Sequence, residues 1–281
     1  MQSLLNAVSY FAVVLLVSIP FFFQYRLFRF FDLSLGVVFL VGAYAFLEGS
    51  NALWPEWIAI AVAVVAAATC GGLIYLSLFR TLVNLRSAAL GLTLCAFGVY
   101  ILGVNIVAMA FGDELVRSND VMFSGSVVAN GGVLSNAQLT EIILAVSSIL
   151  IVWSFLKFSK AGRTVRAFAD NPALAADIGL AGELPTLLVV VGGAGLMGLV
   201  GLLLAADIGV RPTTAFVYLL PGLAAVLAFG TKNIFGVVVG SAIVASIAEI
   251  TAVALGQQWR DFAIYTAVAV MLTIHARLRQ R

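Results

Sequence analysis

Long stretches of apolar residues, separated by short polar segments, constrain the fold of this sequence more than any other feature. Residues 4–23 form the first stretch and contain no charged side chain. A helix of about 20 apolar residues crosses the roughly 30 Å hydrocarbon core of a bilayer. Only 10% of the residues are charged and the mean hydropathy is +1.13, whereas soluble domains are about 25% charged. The sequence therefore predicts an all-α integral membrane protein.

Charged and turn-forming residues divide the chain into about eight or nine apolar segments, each a candidate membrane span. The segments are residues 4–24, 31–47, 57–79, 88–111, 140–156, 184–205, 215–229, 235–255 and 262–277. We expect one polytopic transmembrane domain over residues 1–281. Segment 215–229 is short and contains Pro221 and Gly222, which predicts a broken or re-entrant helix there.

The distribution of basic residues predicts the orientation of the chain, because loops on the cytoplasmic side collect Lys and Arg. With nine spans, the alternate loops on one side contain Arg26, Arg29, Arg80, Arg86, Lys157, Lys160, Arg163, Arg166, Lys232, Arg277, Arg279 and Arg281. The other side contains only Arg117, Arg211 and Arg260. We therefore expect an external N-terminus and a cytoplasmic C-terminus.

The longest segment on the external side, residues 112–139, is polar and rich in Gly, Ser and Asn. External loops of this size often bind a partner, but a plain solvated loop has the same composition. Both interpretations stay open at this point.

The cytoplasmic segment, residues 157–183, contains the signals of a short helix. Asn171 is a good N-cap, Pro172 suits the first helical position, and Gly179 can close the helix in the left-handed conformation. A helix of about two turns is marginal in water by itself. We expect it to dock against another subunit.

This segment resembles the membrane permease subunits of ATP-binding-cassette importers for branched-chain amino acids and related small polar solutes. The resemblance rests on a pattern of small, basic and Asx residues, namely Gly162, Arg163, Arg166, Ala167, Asp170, Asn171, Ala175, Ala176 and Gly179. A Gly-rich span at residues 192–201 follows, and residues 32–44, 220–230 and 236–240 add further matches in the same order.

The resemblance implies that Pro172–Gly179 is a coupling helix that seats in a groove of a separate ATPase. The residues with a coupling role would be Gly162, Arg163, Arg166, Ala167, Asp170, Asn171, Pro172, Ala176, Asp177 and Gly179. It also implies ATP and Mg²⁺ on the ATPase subunits and none on this chain. The expected partners are a second permease, identical or homologous, and an external solute-binding protein. The expected location is the cytoplasmic membrane of a bacterium or archaeon.

Ionisable and polar residues within spans are the candidates for a solute path, because burying a charge in lipid costs about 2.5–3.5 kcal/mol. The candidates are Asp32, Ser34, Thr93, Asn105 and Glu249. Each also has a structural interpretation: an ion pair of Asp32 with Arg29, contact of Glu249 with outer headgroups, or hydrogen bonds between helices. Small residues predict close helix packing: Ala194 with Gly198 and Gly236 with Gly240 have four-residue spacing, and Gly195 lies beside the first pair.

Other functions lack their motifs in this sequence. It contains no phosphate-binding loop, only one histidine, and no cluster of metal ligands or of catalytic residues. A net charge of +2, with no basic run among aromatics, argues against nucleic-acid binding. We expect a transport subunit rather than an enzyme, for a small neutral or zwitterionic solute. The expected solute is a branched-chain or other amino acid, and urea or a short amide is the alternative solute. The alternative function is that of an ATP-independent channel or secondary transporter.

Overall fold

The computed structural model describes residues 2–85, 87–117, 125–129, 132–180, 182–230 and 233–279. The helices are α1 (Gln2–Phe28), α2 (Leu35–Asn51), α3 (Glu56–Ile74), α4 (Arg80–Asn84), α5 (Ala89–Phe111), α6 (Asn136–Phe158), α7 (Lys160–Asp170), α8 (Pro172–Asp177), α9 (Glu183–Asp207), α10 (Thr214–Ala225), α11 (Ile234–Leu255) and α12 (Arg260–Arg279). Strands β1 (Ser126–Ala129) and β2 (Gly132–Ser135) form an antiparallel hairpin. A π-helical turn, Tyr75–Phe79, joins α3 to α4, and another, Val226–Gly230, follows α10.

Hydrogen bonds between helix ends define the two ends of this bundle. At the end that we call the hairpin end, the Gln2 side chain pairs with the backbone of Val133 in β2, and Val116 pairs with Val210. At the opposite end, the elbow end, α7 and α8 lie beside the end of α1 and the start of α9. The long helices α1, α6 and α9 therefore run from one end of the molecule to the other.

Helix α9 occupies the centre of the bundle, where it packs against α1, α2 and α3. Small residues permit this packing: a Cβ atom on Gly42 would lie 2.4 Å from the Cα of Gly198, and one on Gly198 would lie 2.2 Å from the Cβ of Ala67. Such close backbone approach is typical of helix association in lipid, where no hydrophobic effect draws helices together. Gly236 and Gly240 of α11 likewise contact the carbonyl groups of Phe229 and Ala225, whereas Gly195 has only ordinary contacts with α3.

The short segment around Pro221 departs from the expected break. Helix α10 continues through Pro221 and Gly222 as one helix, and the irregular hydrogen bonding falls later, in the π-helical turn Val226–Gly230. Burial against α1, α11 and α12 supports the backbone at this point, which is how proline is tolerated within membrane helices. The segment 215–229 is therefore not broken at Pro221, and a re-entrant path for it stays a prediction.

Six helices of the described residues are long and apolar enough to cross a bilayer, and two further apolar helices, Leu35–Asn51 and Thr214–Gly230, are shorter. The chain is thus an all-α polytopic membrane protein, while the exact number of spans stays a prediction. Within the expected polar segment 112–139, the described residues include the two strands of the β-hairpin and the first turn of α6. Helix α6 begins at Asn136 rather than near Thr140, because Ser135 and Gln138 form a capping box.

Basic residues sort between the two ends as the sequence predicts. Arg117 and Arg260 lie at the hairpin end, whereas Arg26, Arg29 and Arg80 lie at the elbow end. Arg86, Lys232 and Arg281 lie outside the described residues. Which end faces the cytoplasm is a prediction of the positive-inside rule.

The close approach of α9 to α2 and α3 yields a test with a control in the same helix. Gly198→Ala should lower the free energy of unfolding by about 1–3 kcal/mol, because its Cβ overlaps that of Ala67. Gly192→Ala places its Cβ where no atom lies within 4 Å, so it should be neutral or stabilising by up to about 1 kcal/mol. Unfolding in mixed detergent micelles measures both values, and equal effects would contradict this account of the packing.

Candidate functional site

A sharp elbow joins α6 to α7. Ser159 separates the two helices and caps α7, because its hydroxyl accepts a hydrogen bond of 2.8 Å from the Gly162 N–H. A Cβ on Gly162 would lie 2.1 Å from the carbonyl oxygen of Phe155, so only glycine lets the helices approach this closely. The sequence predicts a cytoplasmic segment here but not the additional helix Lys160–Asp170.

The expected short helix is confirmed in its local structure. Asn171 accepts a hydrogen bond of 3.1 Å from the Leu174 N–H, and α8 begins at Pro172. Gly179 has a φ angle of +78°, and the Leu180 N–H bonds the Ala175 carbonyl across it. This left-handed glycine and the reversed hydrogen bond terminate α8 as a Schellman motif does.

Ion pairs and hydrogen bonds attach the elbow end to the neighbouring spans. Arg26 of α1 pairs with Asp170 at 3.2 Å, and the Arg29 guanidinium donates to the Ala169 carbonyl at 2.9 Å. Arg80 pairs with Glu183 at the start of α9. Cations at the last carbonyl groups of α7 also complement its dipole. Helices α1 and α7 are therefore connected at this end.

Two large apolar side chains are exposed at the elbow end, Leu174 of α8 and Ile178 just after the end of α8. Leu174 is 56% exposed and Ile178 is 66% exposed, while Arg163 on α7 is also exposed. Arg166 differs, since its Nε atom is buried without a hydrogen-bond partner among the described residues. Leu174 and Ile178 are four residues apart and form an exposed apolar pair at the elbow end.

A polar cavity lies at the hairpin end, within the bundle. It encloses about 230 Å³ between α1, α6, α9, α10, α11 and α12. Its polar lining residues are Asn6, Ser9, Tyr10, Gln138, Glu141, Asp207, Tyr218, Glu249, Gln257 and Arg260, and Val13, Leu204 and Ile208 supply apolar walls. A concave site with a few convergent polar groups on apolar walls is the usual form of a small-ligand site, although such sites typically enclose about 300–1,000 Å³.

Glu141 is the most deeply buried carboxylate in this cavity, at 2% exposure. Its Oε2 accepts a hydrogen bond of 3.2 Å from the Ser9 hydroxyl, which links α6 to α1. Its Oε1 is buried and has no hydrogen-bond partner among the described residues. A buried acceptor without a donor costs about 1–3 kcal/mol, which argues against a purely structural role.

Asp207 and Arg260 stand at helix ends where the helix dipole disfavours their charges. Asp207 is the last residue of α9 and Arg260 is the first of α12, whereas helix dipoles favour the opposite signs. Asp207 is compensated by Ser135, whose hydroxyl donates at 2.6 Å. The Arg260 guanidinium lies 3.8 Å from the centre of the Tyr10 ring, a cation–π contact. No ion pair joins Arg260 to Glu141, Asp207 or Glu249 in the part of the chain that is described.

The five candidate path residues do not come together. Asp32 is buried at the elbow end, where it accepts hydrogen bonds from the N–H and hydroxyl of Ser34 and closes the turn before α2. Thr93 of α5 accepts a 3.3 Å hydrogen bond from the Phe31 N–H in the same turn. The expected ion pair of Asp32 with Arg29 is not among the described contacts, because Arg29 binds Ala169 instead.

The other two candidates lie elsewhere. Asn105 is exposed on α5 and donates to the Ile101 carbonyl of its own helix. Glu249 is 8% exposed and lines the polar cavity. Sequence reasoning found Glu249 but missed Glu141, Asp207 and Arg260, which it assigned to a span edge or to loops. The available signal was the position of these three ionisable residues at ends of apolar segments on the same predicted side of the membrane.

A second cavity, an apolar groove of about 570 Å³, lies between α1, α3, α6 and α9. Phe23, Val64, Leu144, Ile151 and Leu196 are among its lining residues. This groove offers almost no hydrogen-bond donor or acceptor. Burying a polar solute there without hydrogen bonds would cost about 2–7 kcal/mol for each polar group. The described residues contain no group of three or more potential metal ligands.

Comparisons with known proteins match nearly the whole chain to one family of permeases. The sequence model of the family described as "Branched-chain amino acid transport system / permease component" matches residues 3–275. The high-affinity branched-chain amino acid transport system permease protein LivH of Salmonella typhimurium is 22% identical over 98% of this chain and 93% of its own length. LivH of Escherichia coli K12 is 23% identical over the same shares.

A solved structure shares the fold. PsaBC from Streptococcus pneumoniae, determined in complex with Fab, aligns with a TM-score of 0.54 at 12% sequence identity, and the match covers 96% of this chain and 91% of that one.

The capping of α8 can be tested at a single residue. Asn171→Ala removes the acceptor for the Leu174 N–H and should destabilise α8 by about 1 kcal/mol. Hydrogen exchange of the peptide covering residues 171–180 should then accelerate about fivefold, while Asn171→Asp, which keeps the acceptor, should retain the original rate. Identical exchange in all three proteins would contradict the assigned cap.

Proposed function

The chain belongs to the family of branched-chain amino acid transport system permease components, and on this premise we propose that it is the membrane-spanning permease of an ATP-driven importer. Its solute is a small zwitterion, a branched-chain or other amino acid. The hairpin end faces the exterior and the elbow end faces the cytoplasm of a bacterium or archaeon.

The surface of α8 is the observation that supports this proposal most directly. The short capped helix α8 holds Leu174 exposed at the elbow end, and Ile178, which follows α8, is exposed beside it, while Arg26 and Arg29 attach the adjacent α7 to α1. A helix this short is stable only in a supporting context. We therefore assign α8 to contact with a separate ATPase subunit, to which ATP and Mg²⁺ bind.

Transmission of movement follows from chain connectivity. Helix α6 runs from Glu141 at the hairpin end directly into the elbow, and α9 runs from the end of the elbow segment to Asp207. Packed helices move as rigid bodies rather than deforming continuously. A displacement of α7 and α8 by the ATPase would tilt α6 and α9 and so change access to the polar cavity between them.

The proposed partners follow from the same assignment. The chain has no phosphate-binding loop, so the energy of ATP must come from another subunit. A second permease, identical or homologous, and an external solute-binding protein complete the importer. Urea or a short amide is the alternative solute, but a cavity with three carboxylates and one guanidinium suits a zwitterion better than an uncharged molecule.

Copurification from the native membrane in mild detergent, followed by reconstitution into liposomes, tests the proposed class. We expect an ATPase with a phosphate-binding loop to accompany the tagged chain and radiolabelled leucine uptake to require ATP and the binding protein. Uptake by the purified chain alone, without nucleotide, would instead establish a channel or secondary transporter. Competition by urea but not by leucine would overturn the amino-acid assignment.

The contact surface of α8 has its own test. Leu174→Asp combined with Ile178→Asp should reduce recovery of the ATPase at least tenfold, because two charges replace apolar groups at the contact. Leu85→Asp is the matched control: Leu85 is 71% exposed at the same end but lies outside the elbow. Wild-type recovery with the double variant would refute the role of α8.

A further inference from the structure

The polar cavity at the hairpin end contains opposite charges that do not satisfy each other. Glu141 has a free, buried Oε1, and Glu249 has no hydrogen bond or ion pair within the described residues. Arg260 is the cation of this cavity, and its buried Nε atom also has no hydrogen-bond partner among the described residues. Buried groups of this kind normally have partners, so these two atoms are available to hydrogen-bond a bound solute.

From this arrangement we propose that the cavity is a binding site for an α-amino acid within the permease itself. Glu141 and Glu249 bind the ammonium group, and Arg260 binds the carboxylate. The walls formed by Val13, Leu204 and Ile208 contact the aliphatic side chain. This inference rests on the proposed function and adds to it the residues that recognise the solute.

Three physical features favour this occupant. The ammonium group supplies N–H donors for the free Oε1, and a guanidinium N–H pairs well with a carboxylate. The volume of about 230 Å³ limits the occupant to a small solute. Three carboxylates against one cation make the site negative, so an anion that lacks the ammonium group should be rejected.

A purely structural role for Glu141 predicts the opposite behaviour of its variants. Its one described hydrogen bond, to Ser9, can be kept by glutamine, and the replacement removes an ionisable group from the bundle interior. If the carboxyl group serves binding, Glu141→Gln should weaken leucine binding and leave the thermal stability of the ligand-free protein unchanged or raised. If Glu141 serves only the fold through its bond to Ser9, the same change should leave leucine binding unaltered.

Ligand-dependent thermal stabilisation of the copurified permease–ATPase complex, without the binding protein, tests the site. Leucine should raise the melting temperature of wild type at the lowest concentration, 3-methylbutylamine should require more, and 4-methylpentanoate should require most. Glu141→Gln and Arg260→Gln should each weaken the leucine response about tenfold or more. Glu249→Gln gives an independent reading if Glu141→Gln does not express. Glu114→Gln, at an exposed position of the same end, is the control and should bind as wild type does.

The outcomes separate this inference from the proposed function. ATP-dependent uptake with wild-type leucine affinity in the Glu141→Gln and Arg260→Gln proteins would overturn the binding site alone. Leucine binding that depends on Glu141, without ATP-dependent uptake, would overturn the importer and leave the site standing. Equal stabilisation by leucine and 4-methylpentanoate, or none by leucine at tens of millimolar, would also overturn the site.

Discussion

The close packing of α9 against α2 and α3 is the constraint on which the rest of the structure depends. At Gly198 the backbones of α9 and α2 approach so closely that neither helix could have a side chain there. Since lipid provides no hydrophobic effect between helices, dispersion contacts of this kind hold the bundle together. They also fix α9 as a rigid connection between the elbow end and the polar cavity.

The polar cavity contains several arrangements that lower the stability of the bundle. Glu141 is buried with an unbonded oxygen, and Asp207 and Arg260 lie at helix ends of unfavourable sign. Local rules of this kind are usually broken at functional sites, where the rest of the fold compensates. Here the compensation is the apolar interior of α1, α2 and α9, whose central parts are largely buried.

The sequence predicts the fold class and α8 because both depend on local signals: apolar length, the Asn171 cap and the left-handed Gly179. It fails where tertiary contacts decide. Pro221 within α10 predicts a helix break from sequence alone, but the neighbouring helices support a continuous helix. Asp32 and Glu249 look alike as buried acids in sequence, but one closes a turn and the other lines the cavity. The position of Glu141 at the end of an apolar segment was a signal, but its burial could not be predicted, because the burial arises from the packing of α1 on α6.

Movement of α7 and α8 at the elbow end should change the polar cavity at the opposite end of α6 and α9. Spin labels at Leu139→Cys and Gln257→Cys, in a chain whose Cys70 and Cys95 are serine, lie on α6 and beside α12 at the hairpin end. Their distance distribution in the reconstituted complex measures opening of the cavity directly. ATP with Mg²⁺ should shift this distribution, and Leu174→Asp combined with Ile178→Asp should abolish the shift. An identical distribution with and without ATP, in a complex that hydrolyses ATP, would contradict this prediction.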